Sequence, residues 1–170
     1  MKKRILIPTD GSDFSEQIIA HVQRFFSPED SELILMRVGE PIYSATAAQA
    51  DLAHSAMAFG GTMRYVSERE IEAAQHPIYA TQMESNERAQ VEAALLPLTN
   101  RLRNAGFTVT TRVEFGTAAR MILRAIERDK VDLIAMTTHG RTGLSRAVFG
   151  SVAETVMHQV RIPILLLRPE

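Results

Sequence analysis

Five short apolar runs, each parted from the next by a helical pattern or a break, constrain this chain more than any other feature. They are Arg4–Thr9, Glu32–Val38, Phe107–Phe115, Val131–Met136 and Pro163–Leu167. All but Phe107–Phe115, which alternates loosely, are apolar on both faces, as strands buried in a parallel sheet are. Ser12 or Asp13 can cap a helix whose apolar positions are Phe14, Ile18, Val22 and Phe25, and the stretch Ser27-Pro28-Glu29-Asp30-Ser31 ends it. A second helix is predicted from near Glu84, with Val91, Leu95, Leu98 and Leu102 on one face. Pro97 should kink it or stand where no backbone donor is needed, and Gly106 should stop it. Gly116-Thr117 turns into a helix with Ala118, Ile122, Ala125 and Ile126 inward, and a last helix opens at Gly150-Ser151 and runs through Val160. Strands alternating with helices define an α/β fold: a parallel sheet covered on both faces. Right-handed crossovers leave few topologies, and ligands in such sheets sit beyond the carboxyl ends of the strands.

The segment from about 42 to 83 breaks the pattern. It is rich in alanine, contains Gly60-Gly61 and Pro77, and reads as an insertion with one or two short helices in a single domain spanning 1–170. As a function, a lid or a partner-docking surface competes with the blander expectation, a helical flap packed on the sheet or on a second subunit. His54 and His76 lie there without a zinc-like partner spacing. At 170 residues the chain can bury roughly 70% of its unfolded surface without metal or disulfide staples. There is no cysteine, which excludes thiolate catalysis, zinc–thiolate sites and iron–sulfur clusters. A net charge of −1 and no basic run argue against nucleic acid and anionic membranes. The apolar run after Lys2-Lys3-Arg4 is too short for a signal peptide, and no stretch has the roughly 20 apolar residues of a membrane span, so a cytoplasmic location is expected.

Three places can hold an anion or a nucleoside. Ser151 reads as an N-cap with Glu154 three residues on, a capping box, and the same helix start offers bare amides and the positive end of a dipole, with Gly150 allowing close approach. The polar run Thr137-Thr138-His139-Gly140-Arg141-Thr142-Gly143 follows the fourth strand; its glycines permit tight turns and Arg141 can pair with phosphate. Asp10, after Pro8 and Thr9 at the end of the first strand, can accept from ribose hydroxyls or cap the first helix. Alone, each has a structural reading as good or better: a capped helix, a polar turn around a structural His139, a cap. Together they converge on one edge of one sheet.

Beyond these residues the chain resembles the universal stress protein family, over nearly all its length outside 42–83. The resemblance is most specific from Val131 to Arg168. The family's signature is glycine, two residues, glycine, nine residues, then glycine and serine or threonine. Gly140, nine residues and Gly150-Ser151 match it, and the opening ILIPTDGS agrees. The first glycine is replaced by Thr137, whose Cβ puts the nucleotide in question. The resemblance implies an adenine-nucleotide α-hydrolase-like sheet in the order 3-2-1-4-5, an adenine nucleotide (ATP, ADP or AMP, with magnesium as an option) and a homodimer through Pro163–Leu167. It implies that Pro8, Thr9 and Asp10 lie by the nucleoside and that Val38 meets adenine through its backbone. Met136, Thr137, His139 and Gly140 pass under ribose and phosphates, and Gly150, Ser151 and Val152 hold the phosphate chain. The expected function is a nucleotide-binding stress-response regulator with a protein partner the sequence does not identify. A nucleotide-free scaffold and a slow ATPase or nucleotidyl-transfer enzyme are the alternatives. The chain lacks a Gly-Lys-Ser phosphate loop and a nucleophile elbow, so no catalytic residue is assigned.

Overall fold

A computed structural model describes residues 2–39, 77–138 and 150–168, with the backbone alone over 77–84. The chain divides into two compact units, Met1–Gly39 with Val91–Glu170, and Glu40–Gln90. The first carries the sheet. In chain order its elements are β1 (Lys3–Pro8), α1 (Asp13–Glu16), α2 (Ile18–Phe25), β2 (Ser31–Gly39), the C-terminal part of α3 (Pro77–Asn104), β3 (Thr108–Phe115), α4 (Ala118–Arg128), β4 (Leu133–Thr137), α5 (Ser151–Gln159) and β5 (Ile164–Leu167). The strands pair in parallel in the order β3-β2-β1-β4-β5, with Leu6 opposite both Ile34 and Ile134. The chain reverses direction across the sheet between β1 and β4, where the switch point falls.

The apolar runs are strands because both of their faces have cover. Ile5, Ile7, Leu33, Leu35 and Ala135 face a cluster with Ile18, Ile19 and Val22 of α2 and Leu98 and Leu102 of α3. Leu6, Ile34, Met36, Ile134 and Met136 face the other, with Ile122 and Ala125 of α4 and Ala153 and Val156 of α5. Among the described residues β5 pairs with β4 only and ends the sheet; its four residues are all half-buried.

Several local expectations are corrected. The first helix is broken at Gln17, whose amide bonds Phe14 O at 3.4 Å, a tightened turn. Its buried arc runs through Ser15, Ile18, Ile19 and Val22, which at about 100° per residue leaves Phe14 and Phe25 at the margin, 39% and 61% exposed. α3 begins at Pro77, inside the stretch expected as an insertion, and the rest of that stretch lies outside the described residues. Pro97 is accommodated within α3 on its exposed side. Gly106 ends α3 as expected. At φ 92° it lets its own amide reach Arg103 O and that of Phe107 reach Leu102 O.

Candidate functional site

At the carboxyl end of β1 the chain turns sharply into α1. Thr9 N bonds Met36 O at 2.8 Å, anchoring the turn to β2, and Gly11 follows at φ 72°. The Thr9 hydroxyl accepts from Gly11 N at 3.0 Å and lies 2.8 Å from that of Ser15. Asp10 Oδ1 accepts from Ser12 N at 3.0 Å and Ser12 Oγ at 2.6 Å, and Ser12 Oγ in turn caps α1 by accepting from Ser15 N. Ser12 is therefore the cap, and Asp10 holds the capping residue in place while remaining half-buried at the strand end.

The end of β4 meets the start of α5 at Thr138. Its amide donates to Leu167 O of β5 and its carbonyl accepts from Gly150 N, both at 2.8 Å. Gly150 is the N-cap, at φ −60° and ψ 145°, and among the described residues no side chain caps the helix. The expected capping box of Ser151 and Glu154 does not form. The bond to Thr138 holds Gly150 in extended backbone, so the helix begins one residue earlier than that reading required, with Ser151 as its first residue. The first bond into the helix runs from Glu154 N to Gly150 O at 3.0 Å. The amides of Ser151, Val152 and Ala153 precede it, as the opening donors of a helix do.

These two turns border one cleft of about 310 Å³. Met36, Val38, Ala118, Ile122, Met136 and Ala153 give it an apolar wall; Thr9, Asp10, Ser15, Thr137, Thr138, Gly150 and Ser151 give it a polar rim. Pro8 and Val152 complete the lining, and Asp10 is the one charged residue among the described lining residues. Of the residues singled out by sequence, Pro8, Thr9, Asp10, Val38, Met136, Thr137, Gly150, Ser151 and Val152 are thus brought together. His139, Gly140 and Arg141 lie outside the described residues. Of the apolar wall, Met36, Ala118, Ile122 and Ala153 were missed. Met36 stands two residues before Val38, on the same strand face. Ala118 and Ile122 had been assigned to the core, and their place at the open end of α4 was the missing clue.

An apolar slot with a polar rim lies at the switch point of a doubly wound α/β sheet, the place where ligands of such folds sit. The chain belongs to the universal stress protein family, whose model matches residues 1–168. It is 28% identical over 168 residues to universal stress protein MJ0577 of Methanocaldococcus jannaschii, covering 99% of this chain and 96% of that one. It is 23% identical to universal stress protein YxiE of Bacillus subtilis, over 99% and 100%. Among solved structures, that of MJ0577 superposes with a TM-score of 0.73 at 25% identity, covering 100% of this chain and 98% of that one. A universal stress protein in complex with cAMP gives a TM-score of 0.60 at 16% identity, over 98% and 97%. A family member from Arabidopsis thaliana with AMP bound gives 0.56 at 12%, over 99% and 92%. The observed sheet order is the one the sequence resemblance implied.

Proposed function

We propose that this cleft binds an adenine nucleotide, ATP or one of its lower phosphates, and that the protein is a dimeric, cytoplasmic stress-response regulator whose partner contacts change on loading. The observation that carries the reading is the uncapped start of α5, tied through Gly150 N to Thr138 O beside the cleft. A base fits between Val38, Ile122 and Met136, Asp10 accepts from the ribose, and the phosphates meet the Ser151 and Val152 amides, where the helix dipole favours negative charge. The neighbours solved with cAMP and with AMP support the same ligand class. Thr137 is compatible with it. Strand alternation puts its side chain on the Ala135 face of the sheet, opposite Met136, so its Cβ points away from the apolar wall. A magnesium ion carried in on the phosphates would find Asp10 as the one carboxylate among the described lining residues. No catalytic role is assigned, and hydrolysis, where it occurs, is slow.

Mass spectrometry of small molecules released by denaturing the freshly purified protein tests the ligand, with an adenine nucleotide as the expected release. Calorimetry with AMP and ATP gives the preference. Absence of binding at millimolar nucleotide overturns the proposal and favours the protein-interaction scaffold.

A further inference from the structure

A second and larger cleft, of about 510 Å³, opens at the opposite end of the sheet, by the amino ends of β1 and β4. Ile5, Phe26, Leu133 and Pro163 form an apolar wall, and Lys2, Lys3, Arg4 and Lys130 stand against a single acid, Asp132. The charges are not equally available. Lys2 Nζ donates to Pro28 O at 2.8 Å, and Arg4 donates to Asp129 O at 2.9 Å and pairs with Glu32. Asp132 Oδ2 accepts from Arg4 N at 2.8 Å, which fixes the one acid against β1, so four cationic side chains face a single negative charge among the lining residues. Lys3 and Lys130 have no side-chain partner among the described residues, which leaves two ammonium groups beside an apolar surface.

Lys130 is also where the backbone is least comfortable. It has φ 52°, the one positive φ outside glycine among the described residues. It ends α4 as Gly106 ends α3: Val131 N reaches Ile126 O at 3.1 Å, as Phe107 N reaches Leu102 O. One helix uses glycine at this left-handed position and the other uses lysine, which strains there. Strain held at a cleft mouth is a pointer to use.

We propose that this amino-end cleft binds a small organic anion with a flat apolar body, an aromatic carboxylate in class. The ring lies against Phe26, Leu133 and Pro163, and the carboxylate sits between the ammonium groups of Lys3 and Lys130. The site is independent of the nucleotide reading and stands or falls separately from it.

The probe is 2-naphthoate, titrated into the full-length protein by calorimetry and by amide NMR, with uncharged 2-naphthylmethanol as control. Expected are a Kd of roughly 1 mM, ordinary for a fragment, and perturbed amides at 3–5, 130–133 and 164. The alcohol binds about tenfold more weakly, since it lacks the charge that pairs with ammonium. Lys130→Gly, which relieves the backbone and so folds, weakens 2-naphthoate about tenfold, Lys3→Ala does likewise, and neither alters the response to AMP. Equal binding of acid and alcohol, unchanged binding in both variants, amide perturbation only at 9–10 and 150–153, or no binding at all overturns the site.

Discussion

Two single residues carry opposite bargains between backbone and function. Ser151 is the first residue of α5, behind an extended Gly150. Proline is tolerated at that position, and extended backbone is what it requires of its predecessor. Ser151→Pro therefore deletes one amide from the uncapped helix start and leaves the helix intact. Nucleotide affinity should fall about tenfold or more, as for loss of a hydrogen bond to a charged group, with an unchanged circular dichroism spectrum. Unaltered affinity in that variant would move the phosphates elsewhere. Lys130 is the converse case. Exchange for glycine removes left-handed strain of about 1–2 kcal/mol and adds back part of it as chain entropy, so Lys130→Gly should raise stability by about 0.5–1 kcal/mol in urea melts. A lower midpoint would show that the ammonium contributes more than the backbone costs. The sequence placed Asp10 and Gly150 at the cleft because one ends a strand and the other starts a helix, whereas Val38 came from the family resemblance alone. The N-cap was misplaced by one residue, since the bond from Gly150 to Thr138 that sets it joins residues 12 apart and leaves no local trace.

The strands were readable to within about two residues, because a run with cover on both faces must be apolar throughout. Helix phase was harder. Phe14 and Phe25 share a period with Ile18 and Val22, yet the arc that faces the sheet is centred on Ser15, Ile19 and Val22, and large aromatics outside it stay exposed. The polar ties between elements were not readable at all. On the outer side of the sheet, Arg112 of β3 reaches both oxygens of Asp129 at 3.4 Å, and Arg128 of α4 bridges Asp129 at 3.1 Å and Glu114 of β3 at 2.6 Å. Burial raises the Asp129 pKa, but the hydrogen bonds from Arg128 and Arg112 outweigh it, and the net shift is downward. A carboxylate with a depressed folded pKa stabilises fully above its unfolded value, about 4, and that stabilisation is lost as pH falls through the folded value. Asp129→Asn should cost about 1–2 kcal/mol at pH 7, reduced from a fully buried pair because both guanidiniums are partly solvated. The gap between variant and parent should close in the acid limb of a pH-dependent denaturation series. A gap that stays constant into strong acid would mean the asparagine disturbs packing instead.

At the scale of the whole sheet, Thr138 stands between the cleft and the edge. Its carbonyl holds the start of α5 through Gly150 N, and its amide holds the last residue of β5 through Leu167 O, both at 2.8 Å. The same residue lines the cleft. β5 is the terminal strand, its outer edge has no strand beside it among the described residues, and Ile164, Leu165, Leu166 and Leu167 are only half-buried. An apolar edge of that kind invites a second strand, and the proposed dimer forms there. On the proposed reading, a ligand drawn onto the Ser151 and Val152 amides would pull on the Gly150–Thr138 bond, and Thr138 would pass the displacement to the backbone of Leu167 through its own amide. Loading and pairing should then be thermodynamically linked. Linkage is reciprocal, so if AMP tightens the dimer by a given factor, dimerisation tightens AMP by the same one. Sedimentation at concentrations bracketing the dimer dissociation constant should show a shift of about tenfold with saturating AMP, within the usual range of such couplings. Leu166→Lys should give a monomer that still binds AMP but about tenfold more weakly, the second arm of the same cycle. Equal dimer constants with and without AMP, in a protein that binds AMP, would mean that the cleft and the edge act independently and that Thr138 merely closes the sheet.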